Sequence, residues 1–333
     1  MPQDNKRSEA LAQLQKGRRR RQLVMAGLGL GVVAAATLAP RRVQAAQREL
    51  RVGYQKGALS IIRNRGVLEK RLAPLGASVK WVEFTAGPVQ LEALGAGSID
   101  FGDVGEAPPV FSQAAGTPLV YVAATVARPR VEAVLVPASS AIKAVADLKG
   151  KRVAFNKGSN VHYFLVKLLE KHGLQYGDVS PVFLAPADAR AAFERGAVDA
   201  WVIWEPYLAA AERTLQARIL ADASGVVKNR AYYFSSRDFA RGNADLLKVA
   251  IEELDRLDGW AKSRPDEYAA ELAAILGLPR NVVEVAVKRY DFGTLPITRA
   301  ILDEQQQIAD TFLNLKLIPR KIDLREAAPP WLA

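Results

Sequence analysis

The chain has 333 residues, half of them hydrophobic, which is enough to bury the cores of two lobes. It has no cysteine, which excludes disulfides, thiolate metal sites and cysteine nucleophiles, and with only two histidines we expect no metal. Most of the net charge of +11 belongs to residues 1–45, which carry +7, so we expect no nucleic-acid partner.

Residues 1–45 have the organisation of an export signal. Arginines at 18–21 precede an uncharged, Ala- and Gly-rich run from Leu23 to Ala39, and Val43-Gln44-Ala45 is a small-residue cleavage site. Arg20-Arg21-Gln22-Leu23 resembles the twin-arginine motif. The alternative is an uncleaved membrane anchor, but the run is at the lower limit for spanning and Gly/Ala segments partition poorly. We therefore predict cleavage near Ala45.

Beyond Ala45, strand-like and helix-like segments alternate. Helices are predicted between most of these strands, from 245 to 290 with breaks at Pro265 and Pro279, and after Thr298. The alternation predicts an α/β fold with mostly parallel sheets flanked by helices. The predicted strands are Glu49–Tyr54, Ser78–Phe84, Ile99–Val104, Leu119–Thr125, Val131–Val136, Val153–Phe155, Val179–Leu184, Asp199–Ile203, Ala217–Leu220 and Tyr232–Ser235.

The stretch Arg152–Lys167 is the clearest candidate for a binding site. A short strand ends before Gly158, and a helix follows with Ser159 or Asn160 as its N-cap. Free N–H groups and the helix dipole make such a start a seat for an anion. Taken alone, an ordinary strand–helix turn is the more common interpretation.

Two other turns are of the same kind. Gln55–Ala58 and Val104–Ala107 also lie between a predicted strand and a predicted helix. Ligands of open α/β sheets bind beyond the carboxyl ends of the strands, so three helix starts facing one cleft would hold an anion through backbone donors. No GxxxxGK[ST] motif occurs and no GxGxxG follows a strand, so we expect no nucleotide cofactor.

Ten segments, in order along nearly all of the chain after Ala45, carry a resemblance to a known family. They are 52–57, 81–88, 91–94, 97–102, 105–109, 147–150, 153–158, 186–193, 199–207 and 317–323. These segments resemble the aliphatic-sulfonate-binding proteins of bacterial ABC importers. The resemblance implies a two-lobed type II periplasmic-binding-protein fold, with lobe one at 46–130 plus 231–333, lobe two at 131–230 and a ligand cleft between them.

The resemblance also implies a function. A monomeric protein in the periplasm would capture an aliphatic sulfonate by lobe closure and deliver it to a membrane permease for sulfur acquisition. The same fold also accommodates taurine-type, nitrate-type and thiamine-precursor-type ligands. A desulfinase that resembles this fold uses a cysteine nucleophile, which this chain lacks, so we expect no enzyme.

By the same resemblance the sulfonate head would lie at the three turns. Relatives often have Asp where this chain has Glu106 and Glu205, and a hydroxyl residue where it has Ala58. These differences concern the ligand's tail more than its head; a glutamate facing the cleft would favour a zwitterion such as taurine. The implied ligand-binding residues are Gln55, Ala58, Leu59, Glu106, Ser159, Asn160, His162, Trp204 and Glu205.

Overall fold

The computed structural model describes residues 48–332, so the export signal predicted for residues 1–45 lies outside the described residues. The strands are β1 (Arg48–Tyr54), β2 (Ala77–Glu83), β3 (Phe101–Gly105), β4 (Leu119–Thr125), β5 (Glu132–Val136), β6 (Arg152–Phe155), β7 (Ser180–Phe183), β8 (Ala200–Trp204), β9 (Arg218–Asp222), β10 (Ala231–Ser236) and β11 (Thr294–Pro296).

The helices α1 to α12 lie between and after these strands. None of the helices within residues 48–332 is both long and apolar enough to span a membrane. Their bounds are α1 (Ala58–Arg65), α2 (Val67–Leu72), α3 (Gly87–Gly95), α4 (Pro108–Ala114), α5 (Asn160–Lys171), α6 (Pro186–Glu194), α7 (Tyr207–Leu215), α8 (Arg237–Gly242), α9 (Ala244–Ser263), α10 (Pro265–Leu276), α11 (Arg280–Val287) and α12 (Arg299–Asn314).

The strands form two sheets. Sheet one has the order β11-β4-β10-β3-β1-β2, and sheet two has the order β7-β6-β8-β5-β9. The chain crosses from sheet one to sheet two at 126–131 and returns at 223–230. The predicted α/β class with two sheets is confirmed.

Both sheets are mixed, where mostly parallel sheets were predicted. β1 pairs in parallel with β2 and β3, but β10 lies antiparallel between β3 and β4. In sheet two, β6 pairs in parallel with β7 and β8, whereas β5 is antiparallel to β8 and β9. The antiparallel pairs arise because β5 and β10 follow directly from the two crossings, without a helix that would return the chain to the same direction.

Each sheet is covered on both faces, since alternate side chains of a strand point to opposite sides. On β4, Val120 and Val122 pack with α1, α9 and α10, whereas Leu119 and Tyr121 pack with α3, α4 and α12. The apolar side of α5 covers one face of sheet two, and α6 and α7 cover the other. The helices cover the faces of the sheets and not the carboxyl ends of β1, β3, β6 and β8.

The centre of sheet one depends on two glycines on neighbouring strands. Gly53 of β1 faces Gly102 of β3, and the amide of Gln90 from α3 donates to the carbonyl oxygen of Gly53 at 2.9 Å. A Cβ atom at position 102 would lie 2.6 Å from that carbonyl oxygen. The two strands and the covering helix can approach this closely only without a side chain there.

Gly102→Ala is therefore expected to lower the free energy of unfolding by about 1–3 kcal/mol, because backbone atoms must move to admit the methyl group. Urea denaturation followed by circular dichroism measures this. The matched control is Gly259→Ala inside α9, where nothing lies within 4 Å of the added atom and stability should rise by up to about 1 kcal/mol. A Gly102→Ala protein as stable as the unaltered one would contradict this packing.

Candidate functional site

A cavity of about 140 Å³ lies where the carboxyl ends of strands from both sheets meet. We call it the head cavity. Six of the nine residues that the resemblance implied line it. These are Gln55, Ala58, Ser159, Asn160, Trp204 and Glu205.

Two helix starts face the head cavity. α1 begins at Ala58 after β1 of sheet one, and α5 begins at Asn160 after β6 of sheet two. Amides in the first turn of a helix have no carbonyl one turn earlier to bond, and the helix dipole places partial positive charge there. Each sheet thus contributes one set of anion-binding donors, and we call the two helix starts together the anion seat.

The third turn differs from the other two. α4 begins with Pro108 and Pro109, which have no N–H, whereas the first two residues of α1 and of α5 each have an amide hydrogen. The prediction of three equivalent helix starts is therefore corrected to two. From this turn Val104 and Gly105 line the head cavity, together with Pro108.

The polar side chains at the start of α5 point their hydrogens elsewhere. The hydroxyl of Ser159 donates to the carbonyl of Asn156 at 2.7 Å. Nδ2 of Asn160 donates to Oε2 of Glu132 at 2.6 Å and to Oδ1 of Asn229 at 3.2 Å. With these side-chain hydrogens engaged in the fold, the groups of Ser159 and Asn160 that remain for an anion are those of the backbone.

His162 lies in the core beside the anion seat. Its Nδ1 accepts from the amide of Gly158 at 3.2 Å, and its Nε2 lies 3.0 Å from the hydroxyl of Tyr176. Its ring stacks on Phe111, which belongs to α4 on sheet one. Burial lowers the pKa of His162 to about 4, so the ring is neutral at pH 7 and holds the glycine turn by accepting its amide hydrogen.

Leu59 and Glu106 also lie outside the lining of the head cavity. The Leu59 side chain is buried in the core under α1, so Leu59 can contribute to the anion seat only through its backbone amide. Glu106 is buried at the second crossing, where its Oε2 accepts from the amide of Arg230 at 3.2 Å. Burial raises the pKa of Glu106 to about 8.

Glu205 lines the head cavity but uses both of its oxygens in the fold. Oε1 accepts from Nη1 of Arg289 at 2.6 Å, and Oε2 accepts from the amide of Ala209 in the first turn of α7 at 2.9 Å. Its carboxylate therefore caps α7 and binds an arginine from the segment after α11. Arg289 also donates to Glu212 at 2.6 Å, so one guanidinium joins two acids of sheet two's helix layer.

Trp204 lines both the head cavity and a second chamber of about 280 Å³, which we call the tail chamber. The ring of Trp204 stands nearly perpendicular to that of Tyr207, at 88° with 6.3 Å between centroids. Apolar and aromatic side chains form part of its wall, and polar and charged side chains form the rest. Its lining is Gln55, Lys56, Glu83, Phe84, Thr85, Arg190, Trp204, Pro206, Tyr207, Ala210, Leu276 and Leu278.

Several residues of the head cavity were not predicted from the sequence. Arg128 and Arg230 lie at the two crossings, and Asp258, Tyr268 and Tyr290 come from the distant helical segment. Arg128 lies 3.7 Å from Asp258 and donates through Nε to the carbonyl of Asp291 at 2.8 Å. No local pattern marks these residues, because tertiary packing alone brings them to the cavity.

Comparison with known proteins decides the family. The NMT1/THI5-like family matches residues 76–268. A relative from Escherichia coli (strain K12), whose name places it among the aliphatic-sulfonates-binding proteins, is 41% identical over 280 residues, which are 83% of this chain and 87% of that protein. This chain belongs to the aliphatic-sulfonate-binding family. The resemblance inferred from the ten segments is thus confirmed.

A solved structure and a further relative agree with this membership. The alkanesulfonate-binding protein from Xanthomonas axonopodis pv. citri bound to MOPS has a TM-score of 0.81 and 39% identity, over 86% of this chain and 98% of that one. The taurine-binding periplasmic protein of Escherichia coli (strain K12) is 28% identical over 252 residues, 69% of this chain and 77% of that protein. The family's two-lobed fold is the one described above.

His162→Gln should remove a pH-dependent part of the stability. The fold favours the neutral ring, so its contribution is complete above pH 6.5 and is lost as pH falls towards 4, by about 3 kcal/mol in all. Urea denaturation at pH 7.5, 6, 5 and 4 should show a steeper loss for the unaltered protein than for the variant. The control is His172→Gln at an exposed position. Identical pH profiles for the unaltered protein and His162→Gln would show that the ring is not held neutral.

Proposed function

We propose that this protein is the substrate-binding component of an ABC importer and that it binds an organic sulfonate between its two sheets. The observation that carries the proposal is the pair of helix starts, Ala58 and Asn160, facing one small cavity. A sulfonate has three equivalent acceptor oxygens and a permanent negative charge, which suit several backbone donors arriving from two directions.

The charges around the head cavity support an anion with a tail rather than a free inorganic anion. Lys56, Arg128 and Arg230 line it, but so do Asp103, Glu205 and Asp258. Arg128 and Arg230 interact with Asp258 and Glu304, so little uncompensated positive charge is left for a ligand. Backbone donors alone discriminate only weakly between one anion and another. The ligand's remaining contacts must therefore come from outside the head cavity.

The tail chamber supplies those contacts. It shares Gln55, Lys56 and Trp204 with the head cavity, so one ligand can extend from one space into the other. A dry cavity of about 150 Å³ is enough for a benzene ring. The chamber's 280 Å³ therefore has room for a ring or a short alkyl chain, with the perpendicular rings of Trp204 and Tyr207 as its corner. Nitrate or sulfate would leave this space unused.

The proposal extends to the biology of the chain. Residues 1–45 would direct export and be removed near Ala45, so the protein would act as a monomer in the periplasm beside a membrane permease. Residues 46–130 plus 231–333 would form lobe one around sheet one, and 131–230 lobe two around sheet two. Ligand contacts to both lobes would favour closure about the two crossings. No catalytic step is proposed.

Isothermal titration tests the ligand class. Ethanesulfonate, taurine and MOPS should each bind, with MOPS tighter than ethanesulfonate because its ring occupies the tail chamber. Nitrate and sulfate serve as comparison anions, and a pyrimidine tests the thiamine-precursor alternative. The titrations need a buffer such as Tris, because several common buffers are sulfonates themselves. Binding of nitrate, sulfate or the pyrimidine in the absence of any sulfonate binding would refute the proposal.

Trp204→Ala tests the tail chamber separately. The dissociation constant for MOPS should rise at least tenfold, because the ring loses its aromatic wall, while that for methanesulfonate should change about threefold or less. Trp331→Ala is the matched control, since that tryptophan is 48% exposed and lines neither space. An equal loss for both ligands would place the tail outside the chamber.

A further inference from the structure

Glu132 is a buried acid next to the anion seat that the proposed function does not use. It is the first residue of β5, immediately after the first crossing, and is fully buried. Its Oε2 accepts from Nδ2 of Asn160 at 2.6 Å. Its Oε1 is buried too and has no hydrogen-bond partner among residues 48–332. A buried carboxyl is costly, so its retention beside the seat needs a reason.

Asn160 connects this acid to the second crossing. The second hydrogen of its amide goes to Oδ1 of Asn229 at 3.2 Å, and Nδ2 of Asn229 donates to the carbonyl of Arg128 at 3.2 Å. Consecutive hydrogen bonds therefore link Glu132, Asn160, Asn229 and the carbonyl of Arg128, from the first crossing to the second and back to the first. Asn160 is the member whose backbone also opens α5.

Asn160 also contacts sheet one directly. A Cβ atom at Gly105, the last residue of β3, would lie 2.9 Å from Cβ of Asn160. The side chain therefore lies against one lobe while its main chain belongs to the other. Its position is sensitive to how far the two proposed lobes are apart.

We propose that Glu132 is a positioning residue for the ligand: through the side chain of Asn160 it fixes the start of α5, half of the anion seat, against both crossings. The inference rests on the proposed function, since it concerns the same cavity. It assigns to Glu132 a role at one step removed from the ligand. The ligand would contact the backbone of Asn160, and Glu132 would decide where that backbone lies.

The charges around Glu132 support this role. Burial raises its pKa well above the usual range, and the neighbouring Glu106 raises it further. Glu106 itself faces Arg230 and Glu304, and its charge also acts on Tyr163 and Tyr232. Lys228 lines the same surface cavity as Glu106, which is distinct from the head cavity. Two neighbouring buried acids cannot both ionise at low cost, so the arrangement disfavours the ionised form of Glu132.

A pH dependence of binding follows. In the proposed open state water would reach Glu132 and its pKa would lie nearer the ordinary value of 4.5, whereas in the buried state described here the pKa is raised. The closed, ligand-bound state then takes up a proton between those values. The dissociation constant should therefore increase as pH rises above about 4.5, by as much as tenfold per pH unit for one proton.

The test is a double-mutant cycle on ligand affinity. Glu132→Ala, Asn160→Ala and the double variant are titrated with MOPS at pH 6.0, in cacodylate buffer, which contains no sulfonate. Each single variant should weaken binding at least tenfold, and the double variant should be no more than about threefold weaker than either, because both remove the same interaction. Additive losses, or a Glu132→Ala protein that binds like the unaltered one, would overturn the proposal.

Glu132→Gln distinguishes a role of Glu132 in positioning Asn160 from a role in stability alone. It also replaces Glu132→Ala in the test if that variant does not fold. Its amide oxygen can still accept from Asn160 and it cannot ionise, so affinity at pH 6.0 should stay within about threefold. From pH 6 to 8.5 the dissociation constant of Glu132→Gln should rise less than that of the unaltered protein, because position 132 no longer titrates. A smaller rise remains, since Glu106 and Asp103 titrate in both proteins. Loss of affinity equal to that of Glu132→Ala, with an unchanged pH slope, would contradict the proposal.

Glu253→Gln is the matched control, since Glu253 is another buried acid, in α9, whose partners are Arg71 and Arg256. It should leave the dissociation constant unchanged. If the unaltered protein binds nitrate, sulfate or a pyrimidine instead of MOPS, the sulfonate proposal fails and the same cycle is run with that ligand. Binding of MOPS by the unaltered protein with no coupling between positions 132 and 160 would remove only the role of Glu132.

Discussion

Two helix starts whose first two amides have no carbonyl in a preceding turn to bond are the constraint around which this molecule is arranged. α1 extends from sheet one and α5 from sheet two, and both begin at the wall of the head cavity. Such amides need water or an anion. Because the starts belong to different sheets, a single anion that satisfies both must contact both sheets. An anion that accepts hydrogen bonds from both helix starts would therefore favour the arrangement in which the two sheets lie close together.

Much of the fold follows from local pattern. The apolar side chains of α5 at Val161, Phe164 and Leu168 have the spacing of one helix face, and all three are buried in the core of sheet two. Pro265 and Pro279 mark real interruptions between α9, α10 and α11. These predictions succeed because periodicity and proline act within a few residues. The placement of the anion seat at strand ends follows from the same alternation of elements.

The rest of the site depends on partners far apart in the sequence. Asn160 meets Glu132 and Asn229, which are 28 and 69 residues away, and no pattern in its own turn predicts either contact. The difference at α4 was readable, since Pro108 and Pro109 cannot donate, but the similarity of the three turns obscured it. Side-chain direction is set by tertiary packing, which explains why the ring of His162 lies in the core and the side chain of Asn160 bonds Glu132 and Asn229.

The position of β10 in sheet one has a consequence for the order of folding. This strand fills the gap between β3 and β4, yet it is made only after the whole of sheet two, so β4 has no bonded neighbour on that side until residues 231–236 exist. Loop closure over more than a hundred residues is slow, and incomplete sheets expose unpaired edges. The first half of the chain therefore cannot finish its sheet as it emerges from synthesis, and the two halves must mature together.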